Sequence, residues 1–351
     1  MERKTILVLF GGCSGEHEVS LVSAHAVLRN MDPLRYDAVA VGITREGRWL
    51  RYTGDLERLP ANSWLSDEAA CTPCTLLLDR GERTLMDLDG SGRRIRLDGA
   101  FPVLHGKNGE DGTVQGLLEL AGIPIVGCGS LSSALCMDKD RSHRLAAAAG
   151  VRVPESAFFT AAADRAAVHA AAGTIGYPVF VKPVRSGSSL GVTRVEREEA
   201  LDRALEEALL EDSEVLLEEA IEGFEVGCAV MGSGGALTVG EVDEIELSQG
   251  FFNFEEKYTL KTSAIHCPAR IAPEKASEIK ETAKVLYRAL GCEVLARVDL
   301  FLTPEGSIVF NEINTIPGFT SHSRYPTMMA RAGIPFPELV ARLIELGTAR
   351  Q

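Results

Sequence analysis

Residues 294–314, VLARVDLFLTPEGSIVFNEIN, are two runs of alternating apolar and polar residues around Thr-Pro-Glu-Gly. Period-two alternation marks strands with one buried face, and a Pro/Gly break between two such runs marks a hairpin. With Thr303 set opposite Ile308, Arg297 falls opposite Asn314 and Asp299 opposite Glu312. Parity then gathers these four polar side chains on one face, while Val298, Leu300, Leu302, Val309 and Ile313 turn to a core. The argument depends on register, because a slip of one residue flips every side chain. Two carboxylates and an amide on one face are hard oxygen donors of the kind Mg²⁺ takes together with phosphate oxygens. An adjacent guanidinium neutralises phosphate or a developing oxyanion. The plain alternative is a solvated face with ordinary ion pairs. Against it stands the sequel, TIPGFTSHSRYP (315–326), a glycine-, proline- and hydroxyl-rich loop that a surface hairpin does not need.

Three other stretches point to an anionic ligand. In VKPVRSGSSLG (181–191), Lys182 ends a strand and a Gly/Ser loop follows. Backbone amides and hydroxyls in such a loop wrap phosphate oxygens. The lysine precedes the glycines, so this is not a Walker A loop, and a plain flexible turn is the competing reading. LLEEAIEGFEVGCAV (216–230) brings Glu218, Glu219 and Glu225 after a strand, where they suit an adenine amino group and ribose hydroxyls. FGGCSGEHEVSL (10–21) runs from a strand end through glycines into a helix start. The helix dipole there favours an anion, and Glu16 suits a substrate amine. A capping box from Ser14 to His17 or Glu18 is the structural alternative.

The rest of the chain supplies the frame. At 351 residues it is long enough for two or three domains. Hydrophobic content of 45% and charged content of 25% are those of ordinary globular protein. A net charge of −14 argues against nucleic acid and anionic membrane surfaces. Eight scattered cysteines, including a lone CxxC at Cys71 and Cys74, fit buried thiols in a reducing compartment better than zinc. No apolar run approaches membrane-spanning length, so a cytoplasmic location is expected. Strands at 5–12, 36–44, 99–106 and 123–129 alternate with helices at 17–31 and 112–122, which predicts a doubly wound parallel sheet. One helix is expected over 133–150, strands over 177–184 and 214–221, and a helix over 197–212. The fold class is α/β, with domains at 1–127, 128–221 and 222–351.

These blocks together resemble the D-alanine–D-alanine ligase family of ATP-grasp enzymes. The resemblance is carried by GGCSGEHEVSL, PVLHGKNGEDGTVQGLLELAGIPIVG, SALCMDKDRSH, FVKPVRSGSSLGV, EEKYTL, LARVDLFL and NEINTIPGFTSHSRYP, in order along nearly the whole chain. It implies a three-domain ATP-grasp fold with ATP between two antiparallel sheets. Lys139 and Lys182 would contact ATP phosphates, with Glu218 near the adenine and Glu225 on the ribose. Asp299, Glu312 and Asn314 would hold two Mg²⁺ ions, or Mn²⁺ in their place. Glu16 would take the amine of the first D-alanine, and His105 would lie near its reacting end. Arg297 and the Gly318 amide would form the oxyanion hole, and Ser323 would hold the second substrate's carboxylate. GFFNFEEKYTLKTS (250–263), within a lid at 246–265, would bring Lys257 to the transferred phosphate and Tyr258 into a triad with Ser188 and Glu16. A cytoplasmic homodimer is implied.

The resemblance also bears on the second substrate. D-Ala–D-Ala ligases usually carry tyrosines where this chain has Phe252 and Phe254, and an aliphatic residue where it has Arg324. The D-Ala–D-lactate resistance ligases lack the Lys257-Tyr258 pair. The combination looks most like the vancomycin-resistance D-Ala–D-Ser ligases, with D-Ala–D-Ala ligation of routine wall synthesis as the alternative. A lost tyrosine hydroxyl makes room, and an arginine adds a donor for the serine hydroxyl.

Overall fold

The structure, a computed structural model, describes residues 3–187, 189–247 and 263–349. Strands β1 (Lys4–Gly11), β2 (Tyr36–Ile43), β3 (Trp49–Tyr52), β4 (Cys71–Leu76), β5 (Thr84–Asp87), β6 (Arg94–Arg96) and β7 (Gly99–Pro102) form one sheet in the order β6-β5-β4-β3-β2-β1-β7. β1 pairs parallel with β2 and β7, as the alternating strands and helices predict. From β2 to β6 the sheet continues antiparallel, so the parallel part is three strands wide. Ile6 to Phe10 are fully buried because both faces of β1 are covered. Helix α1 (His17–Asn30) lies on one face and α2 (Thr113–Leu120) on the other.

Two expectations along this stretch are corrected. Residues 123–129 form no strand and touch the sheet only through the bridge between Ala100 and Ile125. Pro124 lacks an N–H and Gly127 turns with φ 149°, which stops a ladder from extending. The helix expected over 133–150 is two, α3 (Ser130–Met137) and α4 (Lys139–Ala148). Asp138 breaks it: its backbone is extended, and its side chain accepts from the Arg141 N–H at 2.9 Å as an N-cap. The break sets Lys139 at the first residue of α4.

The second sheet contains β8 (Ser156–Thr160), β9 (Val179–Pro183), β10 (Thr193–Val195) and β11 (Glu214–Glu219), in the order β10-β9-β11-β8. Helices α5 (Arg165–Ile175) and α6 (Leu201–Glu211) cover it and share its core. The third sheet contains β12 (Phe224–Ser233), β13 (Ala236–Val239), β14 (Asp243–Leu247), β15 (Ser263–His266), β16 (Val294–Leu302) and β17 (Ile308–Asn314). Its order is β15-β14-β12-β16-β17, with β13 on β12. Helix α7 (Pro273–Ala289) packs on one face together with α3 and α4. Helices α8 (Arg324–Arg331) and α9 (Phe336–Thr348) join this sheet to α1 and β1 in one continuous core.

The β16–β17 hairpin has the functional register, reached by a different path. Arg297 opposes Asn314 and Asp299 opposes Glu312. At the turn, Leu302 rather than Thr303 opposes Ile308, and the Thr303 N–H donates to the Ser307 carbonyl at 3.0 Å. A bulge between Asp299 and Leu300 leaves Asn311 unpaired and absorbs the one-residue difference. Beyond the bulge, parity inverts: Phe310 and Ile308 join Val298, Leu300, Leu302 and Ile313 in one core cluster, while Val309, fully buried as expected, lies outside that cluster. Most of the lid segment lies outside the described residues. β14 and β15, which flank it, pair antiparallel. Among the described residues, no helix is long and apolar enough to cross a membrane.

Candidate active site

The polar face of the hairpin is tightly knit. Arg297 grips Asp299 bidentately, with Nε at 2.8 Å from Oδ1 and Nη2 at 2.7 Å from Oδ2. Asn314 Nδ2 donates to Asp299 Oδ2 at 2.9 Å. Burial works against the charged form of Arg297, but the Asp299 carboxylate outweighs it and raises its pKa further. Lys139 Nζ lies 4.0 Å from Glu312 Oε2 and donates to the Ser186 carbonyl at 2.8 Å, tying the hairpin to the Gly/Ser loop. Among the described residues, no group of three or more His, Cys, Asp or Glu side chains is set to hold a metal. A cation at Asp299 and Glu312 would therefore draw on the Asn314 amide and on substrate oxygens, which is how Mg²⁺ is held beside phosphates.

The loop after β17 reaches over this face. The Gly318 N–H meets no acceptor among the described residues. A Cβ at Gly318 would sit 3.2 Å from Ser323 Oγ, so glycine keeps the two close. Ser323 Oγ accepts from the Thr320 N–H at 3.1 Å and pairs with Thr320 Oγ1 at 2.8 Å, just ahead of α8. A carboxylate there would also meet the positive end of that helix.

The N-terminal sheet closes the cleft from the other side. Glu16 is buried, and its Oε2 lies close to both Gly106 and Gly187: Cβ atoms at these positions would meet it at 2.8 and 3.2 Å. Gly106 also has φ +73°, so a side chain there would be strained as well as crowded. Ser14 makes no capping box. Its hydroxyl donates to the His105 carbonyl at 2.6 Å and accepts from the Glu16 N–H at 3.2 Å. His105 is buried, with Nδ1 at 2.9 Å from the Ile316 carbonyl and Nε2 at 3.2 Å from Ser23 Oγ. Burial holds its pKa below the usual histidine value. Glu110 faces the same cleft, and burial, then the Glu16 and Glu312 carboxylates, push its carboxyl well above the usual range.

On the second sheet, Lys182 Nζ pairs with Glu218 Oε1 at 2.5 Å, both groups buried. Sequence reasoning leaves Glu225 as a ribose acceptor and Arg324 as a donor to substrate; the structure engages them with each other. Arg324 Nη1 lies 2.8 Å from Glu225 Oε1 and 3.4 Å from Asp299 Oδ1. Its Nε and Nη2 each donate to Asp243 at 2.8 Å. Hydrogen bonds to Asp243 and Glu225 use three of the five guanidinium N–H groups, and Asp299 adds an ion-pair contact. Burial opposes the charge, but Asp243 and then Asp299 raise the pKa well above the usual value. Ser188, Phe252, Lys257 and Tyr258 lie outside the described residues.

Asp243 and Glu110 were not singled out by sequence reasoning. A readable signal for Asp243 is the glycine inside the strand pattern FEVGCAV, since a strand-interior glycine marks a close approach. Gly227 opposes Asp243, and a Cβ on it would meet Asp243 Oδ1 at 2.6 Å and also the Arg324 guanidinium. Gly227→Ala is therefore expected to destabilise the protein by about 1–3 kcal/mol through overpacking. Urea unfolding checks it, and a change below about 0.5 kcal/mol would contradict this packing.

Family models agree with this arrangement along the chain. The "D-ala D-ala ligase N-terminus" model matches residues 5–128 and the "D-ala D-ala ligase C-terminus" model matches residues 145–345. The chain belongs to the D-alanine–D-alanine ligase family. Among ligases of this family, the chain is 47% identical to a putative D-alanine–D-lactate ligase of Streptomyces coelicolor, over 99% of this chain and 98% of that one. It is 43% identical to a D-alanine–D-alanine ligase of Caldicellulosiruptor bescii, over 99% and 95%. The crystal structure of the VanG D-Ala:D-Ser ligase from Enterococcus faecalis superposes with a TM-score of 0.90 at 52% identity, covering 98% and 99%. The chain is thus an ATP-dependent ligase of this family, with the mixed α/β, multi-sheet fold of its solved members.

Proposed function

We propose that the protein joins D-alanine to D-serine at the expense of ATP, supplying a peptidoglycan precursor that confers vancomycin resistance. The observation that carries D-serine is Arg324. It is buried beside Ser323, oriented by Asp243, and its hydrogen bonds use three of its five N–H groups. A hydroxyl read by a buried, pre-oriented donor is discriminated strongly from a methyl group, because binding the substrate without the hydroxyl leaves the donor unpaired. The likeness to VanG, a D-Ala:D-Ser ligase, supports the same choice.

The chemistry runs in two steps. The first D-alanine, its amine on Glu16, presents its carboxylate to the γ-phosphate of ATP. A carboxylate oxygen forms the new P–O bond, the bond to the bridging oxygen breaks, and ADP leaves. Lys139 and Lys182 neutralise the phosphates, Glu218 orients the adenine and Glu225 the ribose. Asp299, Glu312 and Asn314 would hold two Mg²⁺ ions, which supply further charge neutralisation at the phosphates. The second substrate, its carboxylate on Ser323, then attacks the acyl carbon through its amine. Arg297 and the Gly318 N–H take the oxyanion, and inorganic phosphate departs as the amine loses its proton. The acyl phosphate must be kept from water. Residues 246–265, with Lys257 on phosphate and Tyr258 joined to Ser188 and Glu16, act as the lid, and Phe252 leaves room for the serine side chain. The domains divide at about residues 127 and 221.

Product analysis tests this reading. With ATP, D-alanine and D-serine supplied together, D-Ala–D-Ser should dominate, with faster phosphate release than with D-alanine alone and little with D-lactate. Equal or higher kcat/KM for a second D-alanine would return the enzyme to D-Ala–D-Ala ligation.

A further inference from the structure

A buried chain of hydrogen bonds crosses from the N-terminal sheet to the loop that carries Gly318. The Phe319 N–H donates to Ser23 Oγ at 3.2 Å, and Ser23 Oγ lies 3.2 Å from His105 Nε2. His105 Nδ1 lies 2.9 Å from the Ile316 carbonyl. Elementary donor rules orient the whole chain. A carbonyl only accepts, so His105 Nδ1 carries the proton. The Phe319 amide only donates, so Ser23 accepts from it and turns its own hydrogen to the bare Nε2. Ser23 is fully buried and His105 nearly so, and burial disfavours the imidazolium that would break this order.

The two backbone anchors, Ile316 and Phe319, bracket Pro317 and Gly318. Ser23 sits on α1 and His105 follows β7, so both belong to the wall opposite the hairpin. We infer that Ser23 is a positioning residue for the second half of the reaction: through His105 it clamps the 316–319 segment and so aims the Gly318 N–H at the oxyanion. This rests on the assignment of Gly318 given above. Oxyanion donors act only within a narrow geometry, so a loosened loop costs rate in the step that develops the oxyanion. Phosphoryl transfer to the first D-alanine does not use that donor. A loosened clamp should therefore let acyl phosphate form and then lose part of it to water.

The test is Ser23→Ala, assayed for both phosphate release and dipeptide formation with ATP, D-alanine and D-serine. Dipeptide turnover is expected to fall about tenfold, as two buried hydrogen bonds are lost. The KM for ATP should stay within about twofold, and phosphate released per dipeptide should rise above the wild-type ratio. A general loss of structure would lower both products together and leave the ratio unchanged, which would overturn the proposal, as would wild-type rates. If wild-type enzyme itself gives no dipeptide, the functional reading fails instead. A second measurement needs no variant: ¹⁵N spectra of the wild-type enzyme at neutral pH should show His105 protonated on Nδ1 and bare on Nε2. The opposite tautomer would break the chain and the proposal with it.

Discussion

Arg297→Lys is expected to lower kcat for dipeptide formation by about 10²–10³-fold, the usual effect of removing one oxyanion donor. The substitution keeps the positive charge, so it isolates the geometry of the fork from its electrostatics. Arg297 spends Nε and one Nη2 hydrogen on Asp299, and its remaining N–H groups point away from that bidentate grip. A lysine ammonium can satisfy Asp299 or meet the oxyanion, but it cannot hold both in one plane. Asp299 still keeps Asn314 and the nearby Arg324, so the hairpin should survive. The KM for ATP should therefore move by no more than about threefold, because the nucleotide contacts assigned to Lys139, Lys182 and Glu218 lie on other elements. Steady-state kinetics with saturating D-alanine decides it. A kcat within tenfold of wild type would remove Arg297 from the oxyanion hole and leave it as a structural partner of Asp299.

The hairpin that carries this prediction was legible because period-two alternation fixes faces without knowledge of the fold. Its register was legible only in part. A turn drawn one residue wrong was compensated by a bulge at Asn311, and nothing in VLARVDLFLTPEGSIVFNEIN marks that bulge. The break in the helix over 133–150 could have been read from Asp138, a strong N-cap residue three places before Arg141. The collapse of 123–129 to a single bridge was readable only in part: Pro124 and Gly127 speak against a strand, while the apolar pattern around them is that of one. The partners of Arg324 were the least accessible. Asp243 lies 81 residues away in sequence, and only the fold of the third sheet brings it beneath α8. Ser23 was hidden for the same reason: an inward serine on an amphipathic helix looks like any small core residue until the loop 296 residues later closes on it.

Arg324→Leu tests substrate choice, but its effect on stability must be separated from its effect on specificity. The side chain of Asp243 is fully buried and its carboxylate is bound twice by this one guanidinium. Removing the arginine strands that charge and leaves Glu225 and Asp299 without one of their partners. Breaking a buried pair from one side costs about 3–5 kcal/mol, most of it the penalty of the orphaned charge. Urea unfolding should report that loss, and adding Asp243→Asn to Arg324→Leu should recover roughly half of it, because the stranded charge is gone. The specificity effect follows a different rule. Without the guanidinium the pocket loses the donor proposed for a serine hydroxyl, so kcat/KM for D-serine relative to D-alanine should fall at least about tenfold in both the single and the double variant. Asp243→Asn alone keeps the arginine but weakens the grip that aims it. It should shift the same ratio in the same direction by a smaller factor. If stability falls as expected while the ratio stays fixed in all three variants, Arg324 is only a structural tie between β12, β14 and α8, and D-serine selection must come from elsewhere in the site.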